Sequence, residues 1–334
     1  MRKTFNPKLL AALGLASALL LGGCASDTDN PPDAAKDQGT SIAFFYSEGN
    51  SYLTAGNTSA TVTAEDVNAT VTLFNSNFDP QQQLNQIETA VAQGGYDAYV
   101  LAPLDGNLLC DFVRENILDQ GIPVVTFQGT LCGRDSERGE AQLEPDVFAH
   151  VTGQNLEIYE EWIAEIAEIH PEGGTVAVLS GPPLISNTTN LNLALEKLPA
   201  DFEIVANQTT DYTTPSAFAT AQTMLQANPD IDLFISNYSG VTQGVVEAVK
   251  AAGSSASIFD FGGDQWALDA VASGEITSTV MMLPASETAT AIRLAVDAIN
   301  DVDSPGVVVL TEDDSLPGTP FVTSENVASF TAEY

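Results

Sequence analysis

The chain has 334 residues, 44% of them hydrophobic, with 10 Lys and Arg against 45 Asp and Glu, a formal charge of −35. That length has room for two α/β lobes with separate cores. The charge removes the counterion-release term by which basic proteins hold nucleic acid, so nucleic acid is excluded as a partner, and the acidity describes a solvated exterior rather than a ligand.

At the N-terminus, Arg2, Lys3 and Lys8 precede an apolar run from Leu9 to Leu21 that ends in Leu21-Gly22-Gly23-Cys24. This is the order of an export signal, and the run is shorter than the roughly 20 residues that span a bilayer. The ending resembles the lipobox of bacterial lipoproteins. That resemblance implies acylation of Cys24, loss of residues 1–23 as a signal peptide, and an extracytoplasmic protein anchored to the cell membrane through Cys24. The processed chain would carry 7 basic and 45 acidic side chains, a formal −38. The alternative is an ordinary cleaved signal with an incidental cysteine. Residues 24–40 are rich in Asp and Pro and lack apolar periodicity, which predicts a disordered tether.

From there, runs of β-branched and aromatic residues alternate with helical-period segments. A strand is predicted over Ser41–Tyr46. Tyr52–Asn68 follows where a helix belongs, but its Thr, Ser and Gly content argues against one. Next come a strand at Thr70–Phe74, a helix at Pro80–Gln93, a strand at Ala98–Leu101, a helix at Leu108–Asp119 and a strand at Ile122–Phe127. Cys110 and Cys132 fall in this stretch; outside the cytoplasm such an isolated pair reads as a disulfide rather than two free thiols. Gly129–Ala149 is polar and breaks the pattern, which suggests a boundary between lobes. A second series follows, with helices at Gly153–Ile169, Ala217–Asn228, Val241–Ala252 and Ser286–Asn300. Its strands are Thr175–Leu179, Glu203–Ala206, Leu233–Ser236, Ser257–Phe261, Thr277–Met281 and Val307–Leu310. Strand-helix-strand repetition predicts doubly wound parallel sheets covered on both faces.

With these units in order, several stretches resemble the type I periplasmic binding proteins of the ribose-binding group. They are Phe78-Asp79-Pro80-Gln81-Gln82-Gln83-Leu84, Gly121-Ile122-Pro123-Val124-Val125-Thr126, Leu179-Ser180-Gly181-Pro182-Pro183, Ile235-Ser236-Asn237 and Met282-Leu283-Pro284. The resemblance implies two doubly wound lobes joined by a three-segment hinge, with the ligand between them: lobe 1 from 41–148 plus 284–306, lobe 2 from 149–283 plus 307–334. Crossings are expected near Gln128–Ala149, Leu283–Pro284 and Gly306–Leu310. It also implies ligand contacts at Asn50 and Tyr52, at Tyr212, and at Asn237. Elsewhere the chain departs from the family. The family's sugar-gripping Asp-Arg pair falls on Gln128-Gly129, its later Arg on Thr189 beside Asn187, its late Asp on Gly262 with Asp264 two residues on, and its Gln before the last Pro on Met282. A less charged, more apolar cleft follows, suited to a neutral polar solute such as a sugar or sugar derivative. Each residue also has a structural reading: Asn50 as a helix cap, Met282 as core filler, Trp266 as packing or as a cleft wall.

Nothing in the chain composes a reactive site. His150 and His170 have no metal-ligand spacing, and no phosphate loop, Gly-x-Ser-x-Gly or Gly-x-Gly-x-x-Gly motif occurs. The expectation is a monomeric receptor without catalytic residues, metal or cofactor. As implied by the resemblance, it would deliver its ligand to an ABC transporter permease and its ATPase, or alternatively signal closure to a membrane receptor or kinase.

Overall fold

The structure is a computed structural model and describes residues 39–312 and 316–334. The expected signal peptide at 1–23, the acylated Cys24 and nearly all of the tether lie outside the described residues. Along the chain run β1 (Thr40–Phe45), α1 (Ser51–Asp66), β2 (Ala69–Phe74), α2 (Pro80–Gln93), β3 (Ala98–Leu101), α3 (Gly106–Asn116), β4 (Val124–Phe127) and β5 (Ala149–Thr152). They continue with α4 (Leu156–Ile169), β6 (Gly174–Ser180), α5 (Ser186–Leu195), β7 (Phe202–Thr209), α6 (Thr214–Ala227), β8 (Leu233–Ser236) and α7 (Ser239–Ala252). The last are β9 (Ser257–Gly262), α8 (Gln265–Ser273), β10 (Ser278–Met281), α9 (Pro284–Ile299), β11 (Gly306–Val309) and β12 (Phe321–Thr323).

Among these residues the strands form two six-stranded sheets, ordered β11-β5-β4-β3-β1-β2 and β12-β10-β9-β8-β6-β7. The pairings are parallel except between β10 and β12. Central strands such as β3 and β8 are buried along their whole length, as expected where helices cover both faces.

Local chemistry explains most helix ends. Asp79 accepts from the Gln81 and Gln82 amides with Pro80 in the first turn, and Asp105 accepts from Asn107 and Leu108. Gly253 closes α7 in the left-handed region. α1 forms against its own propensity because packing decides it. Asn50 caps it, accepting from the Leu53 amide at 2.9 Å. Its small residues admit α9: Thr288 Oγ1 donates to the Gly56 carbonyl at 2.9 Å, and Ser59 Oγ to the Ala285 carbonyl at 2.6 Å. Its outward threonines return their hydroxyls to carbonyls one turn back, Thr58 to Thr54 and Thr61 to Asn57.

Two of the expected lobe bounds, 149 and 307 as starts of segments of lobe 2, require correction. Residues 149–152 are a strand of the first sheet, paired with β4 and β11, so the first crossing follows Thr152 instead of ending at Ala149. Residues 307–309 likewise pair with β5, and the third crossing follows Val309. The polar stretch 129–148 is an excursion within the first lobe, pinned by the Cys110–Cys132 disulfide, whose Cα atoms are 4.8 Å apart, and by Arg134, whose Nε meets Glu144 at 2.6 Å. The second crossing leaves β10 and enters α9, which packs on α1, β3, β4 and β5.

Candidate ligand-binding cleft

In open parallel sheets ligands sit beyond the carboxyl ends of the strands. The loops leaving those ends converge on one cleft, which encloses about 470 Å³ of empty space, solvent at its mouth included. Asn50 and Tyr52 follow β1, Phe78 follows β2, Gln128 follows β4 and Gln154 follows β5. From the second sheet Ser186 and Asn187 follow β6, Tyr212 follows β7, Tyr238 follows β8 and Met282 follows β10.

Backbone conformation aims several of these side chains. Phe78, Gln128 and Tyr212 have φ of 60°, 60° and 64°, the left-handed region that non-glycine residues avoid. Such a conformation costs on the order of 1 kcal/mol or more and persists where surrounding contacts enforce it. At Tyr212 the amide donates to Thr210 Oγ1 at 3.3 Å and the hydroxyl to Asn187 Oδ1 at 2.8 Å, and the ring lies against Gly181, where no side chain stands in its way. At Gln128 the side chain is held by Tyr46, Tyr52 and Glu287, which its amide nitrogen reaches at 3.0, 2.7 and 2.9 Å.

The cleft residues form a connected polar network. The Tyr52 hydroxyl donates to Glu287 Oε2 at 2.7 Å, and the Gln128 amide nitrogen lies 2.9 Å from the same oxygen and 2.7 Å from the Tyr52 hydroxyl. Gln154 donates to the Tyr52 hydroxyl at 2.7 Å, and Tyr212 donates to Asn187 Oδ1 at 2.8 Å. Glu287 is fully buried, and burial pushes its carboxyl up to about 7 against the opposing hydrogen bonds from Gln128 and Tyr52. Burial also raises the Tyr212 phenol to about 12, and it raises Tyr46 and Tyr52 far above the ordinary range, with the Glu287 charge adding to it. These phenols are therefore neutral hydroxyls.

Of the residues expected from sequence, Asn50, Tyr52, Gln128, Asn187, Tyr212 and Met282 come together on this wall. Asn50 holds both of its readings, as cap and as lining residue. Thr189, Asn237 and Asp264 are not among the lining residues. Asn237 is buried beneath the wall, where its Oδ1 accepts from the Gly181 amide at 3.2 Å and its amide group meets Thr188 at 3.4 Å. Asp264 caps α8, accepting from the Ala267 amide at 2.7 Å, with its carboxyl raised by burial. Thr189 is half-buried on α5, and Trp266 packs against the second lobe's core. Gly262 has no room for the aspartate of the resemblance, because a Cβ there would lie 1.9 Å from Ser239 Oγ.

Sequence reasoning missed Gln154, Phe78, Tyr238 and Glu287. Phe78 and Tyr238 had a signal, since each adjoins a singled-out residue, Asp79 and Asn237. Glu287 lies inside an Ala- and Thr-rich helix with nothing nearby in sequence to mark it.

Two α/β lobes with a cleft at the carboxyl ends of their strands define a two-lobed binding protein. Residues 42–302 match the periplasmic binding protein domain, and the chain belongs to that family, whose members work outside the cytoplasm. The chain is 29% identical over 227 residues to the D-allose-binding periplasmic protein of Escherichia coli (strain K12), covering 66% of this chain and 71% of that protein. In fold it resembles an ABC transporter solute-binding protein of Bacillus halodurans C-125 with bound myo-inositol, with a TM-score of 0.75, 21% identity, and coverage of 90% of this chain and 100% of the other. It also resembles a periplasmic solute-binding protein of Actinobacillus succinogenes 130z with bound D-allose, with a TM-score of 0.71, 24% identity, and coverage of 87% and 100%.

Proposed function

We propose that the protein captures a neutral, hydroxyl-rich small molecule, a sugar or cyclitol, between its lobes and delivers it to an ABC import permease driven by its ATPase. The observation that carries this reading is the chemistry of the wall. Among the described residues lining the cleft none is formally charged, while Tyr52, Gln128, Asn187 and Tyr212 offer aromatic faces and neutral hydrogen-bonding groups from both lobes. An aromatic face packs on the apolar face of a sugar ring, and neutral donors and acceptors match hydroxyls without the desolvation penalty of a charge. The relatives named above supply the ligand class. In this reading the protein acts as a monomer whose lobes close about the ligand, and a lipid on Cys24 holds it at the cell membrane.

A thermal-shift panel on the purified protein tests the reading. Myo-inositol, D-allose and D-ribose are compared with charged amino acids, and a ligand at 100 times its Kd stabilises the folded state by about 2.7 kcal/mol. A raised midpoint with one or more of the polyols and none with the amino acids is expected. A shift confined to the amino acids would remove the sugar reading.

A further inference from the structure

The side-chain hydrogen bonds that lead from Tyr212 to Glu287 run in one sense. Tyr212 donates its hydroxyl to Asn187 Oδ1 at 2.8 Å, and Asn187 Nδ2 donates to Gln154 Oε1 at 3.5 Å. Gln154 Nε2 donates to the Tyr52 hydroxyl at 2.7 Å, and Tyr52 donates to Glu287 Oε2 at 2.7 Å. Gln128 joins at the end, its Nε2 reaching Tyr46, Tyr52 and Glu287 together at 3.0, 2.7 and 2.9 Å. The chain begins in the second lobe, passes the first crossing at Gln154 and ends on a helix that packs on the first lobe.

A hydroxyl or an amide can face either way, so an unbroken line of them has no intrinsic direction. A carboxylate can only accept, and placing one at the end obliges each neighbour in turn to donate towards it. The consequence reaches the open side of the wall. The two protons of the Gln128 amide are shared among Glu287, Tyr46 and Tyr52, so its Oε1 is the atom left for the cleft. Tyr212 has spent its proton on Asn187 and presents lone pairs.

We propose that Glu287 is a positioning residue that sets the donor and acceptor sense of the cleft wall, so that Gln128 and Tyr212 meet a bound molecule as acceptors and select ligands that offer hydroxyl protons. This rests on the reading of the cleft as the ligand site. It also assigns a role to a residue that is not among those lining the cleft. Among the described residues the other carboxyl oxygen, Oε1, is buried with no hydrogen-bond partner, beside Gly153 of the first crossing and near Thr311 of the third, whose own hydroxyl also has none there. Glu287 therefore sits where the crossings meet, with one oxygen towards the cleft network and one towards the hinge. A carboxylate in that place is retained at the expense of a buried lone pair, which a purely packing role would not require.

The titratable groups acting on Glu287 are Tyr46 at the end of β1, Tyr52 on α1, Tyr159 on α4 and Glu333 near the end of the chain. None of these is basic, so nothing in that set neutralises the carboxylate, and its own proton decides its accepting strength. Protonation weakens Oε2 as an acceptor and releases the Gln128 amide to turn.

The test uses the purified protein and its Glu287→Gln variant, with side-chain amide NMR of Gln128, Gln154 and Asn187 from pH 5.5 to 8.5 in the absence of ligand. The three amides of the wild type are expected to shift together in a single titration that the variant lacks. Calorimetry with myo-inositol and D-allose should then show affinity at pH 8 about tenfold or more weaker in the variant and without the wild type's dependence on pH. Wild-type amides that stay put, or that titrate independently of one another, overturn the inference, and this arm needs no variant to fold. Equal affinity and equal pH profiles in the two proteins overturn it as well. Amides that respond as expected in a protein that binds neither polyol leave the ordering by Glu287 standing and remove the sugar reading instead.

Discussion

The ring of Tyr212 lies over Gly181, where a Cβ would come 1.9 Å from Tyr212 Cζ and 2.3 Å from its hydroxyl oxygen. The two residues belong to different loops, after β6 and after β7, and the absence of a side chain on one determines where the other's ring stands. Tyr212 has little freedom to yield, since its backbone is already in the left-handed region and its hydroxyl is held by Asn187. Gly181→Ala should therefore expel the ring from the cleft and weaken ligand binding by about tenfold or more, as Tyr212→Ala should. Calorimetric titration of both variants checks this, and an unchanged affinity in Gly181→Ala would show that the ring is not part of the wall that binds.

The Cys110–Cys132 bridge spans a sequence separation of 22 and ties α3 to the loop that leaves β4. Closing a loop of that length stabilises a fold by about 3 kcal/mol through the unfolded chain. Replacing both cysteines with serine should lower the free energy of unfolding in urea by about that amount while ligand binding at low temperature persists. Loss of binding at full helicity would mean instead that the bridge shapes the cleft.

Gly56 is where α1 meets both β1 and α9. A Cβ there would come 2.7 Å from Tyr46 Cε1 and 3.1 Å from Thr288 Cγ2. Gly56→Val should destabilise the protein by about 1–3 kcal/mol, the usual range for overpacking, even though valine has the better intrinsic helix propensity. A thermal melt decides between packing and propensity, and a raised midpoint would refute the packing account of this helix.

His150 is fully buried in β5, its Nδ1 3.0 Å from Thr126 Oγ1, and burial lowers its imidazole to about 4. Because the folded state holds the proton less tightly than the unfolded chain, stability should fall as pH drops from about 6.5 to 4 and level off below. A displacement of that size corresponds to about 3 kcal/mol. Glu287 and Asp260, held up to about 7 and 6 by burial, act in the opposite sense, losing stability as pH rises through that region. The measurement is therefore the difference in unfolding free energy between wild type and His150→Asn across that range, which should narrow as pH falls. A difference independent of pH would mean the imidazole is not kept neutral.

What could be read from sequence follows from how local the physics is. Pro80–Gln93 was legible to the residue because Asp79, Pro80 and Gly94 are start and stop signals in themselves. Leu233–Ser236 was legible as a short apolar run. α5 was not, since Asn187, Thr188 and Asn190 are buried and polar, facing the cleft network instead of an apolar core, so no hydrophobic period marks the helix. β5 was hidden within a polar stretch because only its sheet partners distinguish four residues there from a loop. In the cleft, Asn50, Tyr52, Gln128, Asn187, Tyr212 and Met282 were found because the resemblance to the ribose-binding group implies ligand contacts at those places. Glu287 was invisible because its role exists only once α1, α9 and the loop after β4 are in contact.

Gly129 limits how the charge of the cleft can be changed. With a Cβ there meeting the Pro103 carbonyl at 2.4 Å, a single substitution does not fit at this position the arginine that the resemblance to the ribose-binding group would place there. The loop carrying Pro103 would have to move first, and that loop is held by Gln83, whose amide oxygen accepts from the Leu104 amide at 3.0 Å and whose Nε2 donates to the Ala102 carbonyl at 2.9 Å. Substitutions elsewhere on the wall can alter the choice among uncharged solutes one at a time, whereas a charged grip at this position requires several coordinated changes.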